Sequence, residues 1–202
     1  MSKKKFAIDE AFEYGWDAMK PNFWFFAAIL AFVFIIYGSL SFLMDHSGSV
    51  NWVLRIIYYI ICIIFSIGLV KIALNIYNKK RNKFLDIVNS FELFVDYLFA
   101  TVIYGVIVSI GLVLLIFPGI MLMTKLMFYP YFIVDKKMGP IAALKASWKV
   151  TIDHKGIIFL FWLMTSLINL IGLLVVGIGL FVSMPVTMMA QVYVFKKLSG
   201  TK

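Results

Sequence analysis

Charge is scarce in this chain. Asp, Glu, Lys and Arg make up 14% of its 202 residues, against about 25% in soluble domains. Apolar residues make up 63%, and the mean hydropathy is +0.97. A domain of this size has too little interior to hide that much apolar surface from water, so the solvent must be lipid. Cysteine is almost missing. Cys62 stands alone inside an apolar run, which excludes an intrachain disulfide and leaves the redox compartment open. The two histidines are too far apart for a metal pair: His46 falls in an outer turn and His154 at the opposite interface, about 30 Å of hydrocarbon away. No nucleophile elbow, phosphate-binding loop, HExxH or cysteine cluster is present. Acidic residues are outnumbered by basic ones, 10 to 19. In a soluble protein that excess would point to nucleic acid. Here the bases cluster at the ends of apolar runs, so they read as topology signals, with no nucleic-acid partner and no cofactor expected.

What is present is a series of long apolar runs. Phe23 to Met44 is 22 residues without a charge, about 33 Å as a helix and enough to cross a bilayer. Asp45 to Ser49 is a polar turn, and Asn51 to Tyr77 is a second span. It carries Arg55 and Lys71 near its two ends, where each can snorkel. Tyr97 to Phe117 and Ile120 to Val134 form a third and fourth span around a Pro118-Gly119 turn. Gly156 to Val176 and Leu180 to Phe195 form a fifth and sixth around Gly177-Ile178-Gly179. Pro130 in the fourth span and Pro185 in the sixth are expected to kink their helices. The fold expected is all-α: one membrane domain over 1–202, crossing six times. Of the 19 basic residues, 17 fall on the side of the N-terminus and only Arg55 and Lys125 on the other. The positive-inside rule then places both termini in the cytoplasm, in an inner membrane. Asp9, Glu10 and Glu13 ahead of the first run, and the length of that run, argue against a cleaved signal peptide.

Amphipathic segments precede the spans. Ile141, Leu144, Trp148 and Ile152 recur at helical spacing after Gly139-Pro140, with Lys145, Lys149 and Asp153 toward the other face. That is the pattern of a helix lying in the membrane interface. Ile8, Phe12, Trp16 and Met19 repeat it, as do Phe84, Ile87 or Val88, Phe91 and Val95. The distance from interfacial aromatic to outer turn is nearly constant: 29 residues from Trp16 to Asp45, 28 from Phe91 to Gly119 and 29 from Trp148 to Gly177. An offset of 57 lays Ser90 on Ser147 and Asp96 on Asp153. The reading is three copies of an interfacial helix plus hairpin, over 5–78, 83–137 and 139–198, inserted in the same direction.

The segment from Phe117 to Lys155 resembles poorly characterised bacterial and archaeal membrane families. These are similar to the membrane domain associated with some glycerophosphoryl diester phosphodiesterases. The resemblance is carried by Pro118-Gly119, by the Tyr131-Phe132-Ile133-Val134-Asp135 exit, and by Gly139 to Trp148 before a new span. It covers the second half of the chain well and the first half loosely. It implies a six-helix membrane domain without a catalytic barrel, and no activity.

Ionisable and amide residues within spans are the remaining leads, since each is expensive in hydrocarbon. Lys125 lies six residues past the Pro118-Gly119 turn, about 9 Å in, with Asp45 the nearest acid by depth. Arg55 lies at a similar outer depth, and Asp96 begins the third span. Asn169 and Gln191 are mid-span amides, suited to tying helices together. Thr101, Gly105 and Ser109 recur every four residues as a small face for close helix contact. Lys145, Trp148, Lys149 and Lys155 are the candidate contacts for anionic headgroups on the cytoplasmic side. The function expected is non-enzymatic, a scaffold or accessory protein that packs against lipids, another membrane protein or itself. A small transporter or permease subunit is the alternative, and an intramembrane lipid-modifying enzyme a third. A wet, polar cavity at the centre of the bundle would favour the transporter, and a dry one the scaffold.

Overall fold

A computed structural model describes residues 6–46, 52–80, 91–175 and 177–200. Among the described residues there is no strand, and nine α-helices form: α1 Ile8–Met19, α2 Phe23–His46, α3 Trp52–Tyr77, α4 Phe94–Leu114, α5 Ile116–Leu126, α6 Tyr129–Lys136, α7 Pro140–Ile152, α8 Lys155–Leu174 and α9 Leu180–Ser199. Five segments are long and apolar enough to cross a membrane: Ile8–Ser39, Trp52–Tyr77, Phe94–Leu114, Ile116–Lys136 and Lys155–Leu174. The all-helical, multi-span expectation holds at that level.

The expected sixth span is not one of the five, and the reason is its place in the bundle. Helix α9 packs against α1, α2, α3, α7 and α8. Half of its twenty residues are buried, among them Ser183, Thr187 and Lys196. A helix enclosed by other helices needs no lipid-compatible exterior, so its composition can be more polar. The apolar excess lies on the outer helices, where Trp24, Ile35, Trp52, Val113, Leu174 and others are largely exposed.

The Pro118-Gly119 pair is not the turn. The chain reverses at Leu115, whose extended backbone separates α4 from α5, and Pro118 sits in the first turn of α5. Proline is tolerated there because the first N–H groups of a helix have no internal partner. The small face expected at Thr101, Gly105 and Ser109 is also not where α4 meets its neighbour closely. Ser109 is exposed, and a Cβ on Gly105 would meet open space. The close approach is one turn before the reversal. A Cβ on Gly119 would lie 2.7 Å from the Leu112 backbone nitrogen, and one on Gly111 would lie 3.0 Å from the Gly119 Cα. A hairpin brings its two helices together nearest the turn, and side-chain-free positions are needed there.

The two amphipathic helices within the described residues pack against the rest of the protein along faces that overlap their apolar stripes at Met19 and Leu144. Helix α1 lies along α9, burying Ala11, Gly15 and Met19 while Trp16 stays about half exposed. Gly15 is held so close to the Val186 carbonyl that any Cβ would clash with it. Phe6 and Phe12 pack on Phe161 of α8. Helix α7 buries Ala143, Leu144, Ser147 and Thr151, leaving Ile141 and Ile152 exposed. The stripe expected at Phe84, Ile87 and Val88 lies outside the described residues, as does Ser90; Phe91 to Leu93 form one tight helical turn leading into α4.

Candidate functional site at a broken helix

The fourth span, expected over Ile120 to Val134 with a kink at Pro130, is two separate helices. Helix α5 ends at Leu126 and α6 begins at Tyr129, with Pro130 in its first turn. A break inside an apolar segment frees backbone groups that cost about 2–7 kcal/mol each if left without partners. Helix α7 supplies the partners. The Ser147 hydroxyl accepts from the Phe128 N–H at 3.1 Å and donates to the Lys125 carbonyl at 2.9 Å, closing both sides of the break with one side chain. The Thr151 hydroxyl, one turn on, lies 3.0 Å from the same Lys125 carbonyl and 2.9 Å from that of Ser147. Both side chains are fully buried. The hydroxyl pair at i and i+4 was visible in the sequence but overshadowed by the apolar stripe beside it.

This geometry moves Lys125. Its ammonium lies 4.2 Å from the centroid of the Trp148 ring of α7, and the charge of Lys155, at the start of α8, acts on it. The expected placement put Lys125 on the outer side and Trp148 and Lys155 at the cytoplasmic interface, so the structure overturns that separation. The cause is the break: α5 is only 11 residues long, about 16 Å, and it ends against α7. The pairing expected with Asp45 concerns a side chain outside the described residues.

Beyond the break, α6 is tied to its neighbours by polar contacts. The Tyr129 hydroxyl lies 3.1 Å from that of Thr101 on α4, and its ring contacts those of Tyr97 and Tyr104. Tyr131 donates to Gln191 of α9 at 3.0 Å. At the end of α6, Asp135 accepts from the Lys196 ammonium through both oxygens, at 2.9 and 3.0 Å, with side chains 13% and 3% exposed. Sequence reasoning counted Lys196 only as a terminal basic residue and Asp135 only as part of a motif, and no local signal links positions 61 apart. Asn169 donates to Thr187 across α8 and α9 at 3.1 Å. Arg55 is exposed, with its guanidinium 5.9 Å from the Trp52 ring. Asp96 sits in the first turn of α4, where the helix dipole favours a carboxylate. Lys145, Lys149 and Lys155 are exposed.

Two cavities flank the broken helix. One of about 470 Å³ lies between α3, α4 and α6, lined by Tyr59, Cys62, Ser66, Tyr97, Thr101 and Tyr129 among others. The other, about 240 Å³, lies between α4, α5 and α7, lined by Ile107, Leu126, Leu144, Lys145 and Trp148. No group of three His, Cys, Asp or Glu side chains that could hold a metal forms among the described residues.

No family description matches the chain, and no solved structure matches it. Uncharacterised proteins of Mycobacterium bovis and Mycobacterium tuberculosis are similar to it, each 33% identical over 91 residues. That stretch is 45% of this chain and 28% of each relative, so the match spans under a third of the mycobacterial proteins.

Proposed function

We propose that this chain is an integral membrane protein crossing the bilayer six times, α9 included, with both termini in the cytoplasm. We further propose that it works as a scaffold or accessory protein engaging lipids or a membrane partner, without catalysis. The observation that carries this reading is the distribution of polarity. Exposed apolar side chains cover α2, α3, α4 and α8, while the amides Asn169 and Gln191 are used up in ties between helices. The basic residues support the orientation, and Lys125, now beside Trp148 and Lys155, joins the cytoplasmic group. The order of short helix then long helices in α1–α3 and again in α7–α9 supports the repeat reading. The kinship with the membrane domain associated with glycerophosphoryl diester phosphodiesterases is proposed on the residues from Phe117 to Lys155, which here build the broken helix and its closure.

A transporter is the second reading. It is favoured by one feature, the cavity beside a discontinuous helix with Ser66, Thr101 and Tyr129 among its lining residues, the kind of place where membrane transporters bind substrates. Cys62 lines that cavity and is the only cysteine in the chain, so the native protein carries its own probe. In sealed vesicles, a lipophilic maleimide should modify Cys62, and a charged, water-soluble methanethiosulfonate should not. Rapid modification by the charged reagent would reveal a wet cavity, against the scaffold and for the transporter.

A further inference from the structure

We infer that the groove between α4, α5 and α7 binds one anionic phospholipid, with an acyl chain against Ile107, Leu126 and Leu144 and the phosphate between Lys125 and Lys145. This site rests on the lipid-engaging reading above, and its first mark is a charge without a counter-charge. The ion pairs among the described residues join Lys20 to Asp17, Lys196 to Asp135 and Lys197 to Glu10; Lys125, Lys145, Lys149 and Lys155 have none. Lys125 is the most costly of these four. It is carried by an apolar segment and is partly buried. The Trp148 ring at 4.2 Å offsets part of that cost through its electron-rich face, but an aromatic quadrupole does not neutralise an ammonium.

The second element is the groove itself. Its walls are Ile107, Leu126, Leu144 and Trp148, apolar except where Lys145 borders it. Lys125 reaches the same Trp148 ring, so two cations lie close to one aromatic at the rim of an apolar slot. A neutral lipid would fill the slot and leave the cations unanswered. A free phosphate would answer the cations and leave the slot empty. An anionic phospholipid does both, and in a chain with this much exposed apolar surface it is also the abundant neighbour.

The test uses the full-length protein reconstituted in phosphatidylcholine vesicles doped with phosphatidylglycerol, with retained lipid counted by native mass spectrometry. The wild-type protein should hold one phosphatidylglycerol more tightly than the rest. Lys125→Met with Lys145→Gln should weaken its retention by at least about fivefold for each charge removed. Ile107→Trp, which fills the slot and leaves every charge in place, should also release it. Lys149→Gln, on the same helix but outside the groove, and Lys125→Arg, which checks folding, should both keep it. Retention by Ile107→Trp, or equal losses in Lys149→Gln and in the Lys125 and Lys145 variant, would overturn the site while leaving a diffuse basic rim and the lipid-scaffold reading intact. Displacement by inorganic phosphate would overturn the lipid in favour of a free anion. No enrichment of phosphatidylglycerol in the wild-type protein would reject both the site and the wider lipid reading.

Discussion

Ser147 is the side chain on which the local structure depends most. Its one hydroxyl serves a backbone donor and a backbone acceptor at the break between α5 and α6. Ser147→Ala should therefore destabilise the protein by about 1–3 kcal/mol, the cost of leaving buried backbone groups unpaired. Ser147→Thr should lose less if the pocket accepts the methyl group. Thermal unfolding in detergent measures both, and an unchanged midpoint for the alanine variant would mean that Thr151 or water replaces the hydroxyl. The ion pairs show how burial decides magnitude. Lys197 and Glu10 are 3.1 Å apart with side chains 37% and 53% exposed, and removing such a pair should change little. Lys196 is buried and the Asp135 side chain is only 13% exposed. Asp135→Asn strands an ammonium and should cost about 3–5 kcal/mol, and adding Lys196→Met should recover much of that. Strictly additive losses in this cycle would show that the two residues do not stabilise each other.

At the scale of elements, glycine separates helices that touch from helices that merely lie near. Gly15 faces the Val186 backbone of α9, and a side chain there has nowhere to go. Gly15→Val should push α1 off α9 at a cost of about 1–3 kcal/mol from overpacking, read as faster proteolysis and faster amide exchange over 8–19. Gly105→Ala is the contrasting case, since its Cβ enters open space. It should stabilise α4 by roughly 0.5–1 kcal/mol, the helix preference of alanine over glycine. Equal effects from the two substitutions would refute the packing of α1. The amphipathic stripe located α1 and α7 as helices, and it overlaps their protein-facing sides only in part: Met19 and Leu144 are buried, while Trp16, Ile141 and Ile152 stay exposed. Periodicity reports which side of a helix is apolar, and in a bundle with apolar surroundings that is no guide to which side meets protein. The buried faces here carry small and hydroxyl side chains, Ala11 and Gly15 in α1 and Ala143, Ser147 and Thr151 in α7. Close approach and hydrogen bonding select such residues when the hydrophobic effect does not discriminate.

For the whole molecule, the orientation proposed above makes a direct prediction. On a Cys62→Ser background, a cysteine at position 47 should react with an impermeant reagent added to intact cells, and one at position 137 only after permeabilisation. Reaction of both from outside would remove the six-span arrangement. The bundle is organised around α9, the long helix that apolar length and composition alone do not mark as a span. That inversion has a simple origin. Hydropathy measures how well a segment tolerates lipid, and the helix at the centre of a bundle is the one least required to do so.

The sequence by itself determined what is written locally. The helices, the long apolar segments, the scarcity of charge and the amide residues that tie helices together all follow from composition and spacing within a few turns. Tertiary structure alone decided what depends on how helices cross. It closed the break near Pro130 with Ser147, set Lys125 against Trp148, joined Asp135 to Lys196 across 61 positions, and placed α9 at the centre. Such pairings rest on the angle and depth at which two helices meet, a few kcal/mol of contact summed along their length. No window of sequence contains both partners.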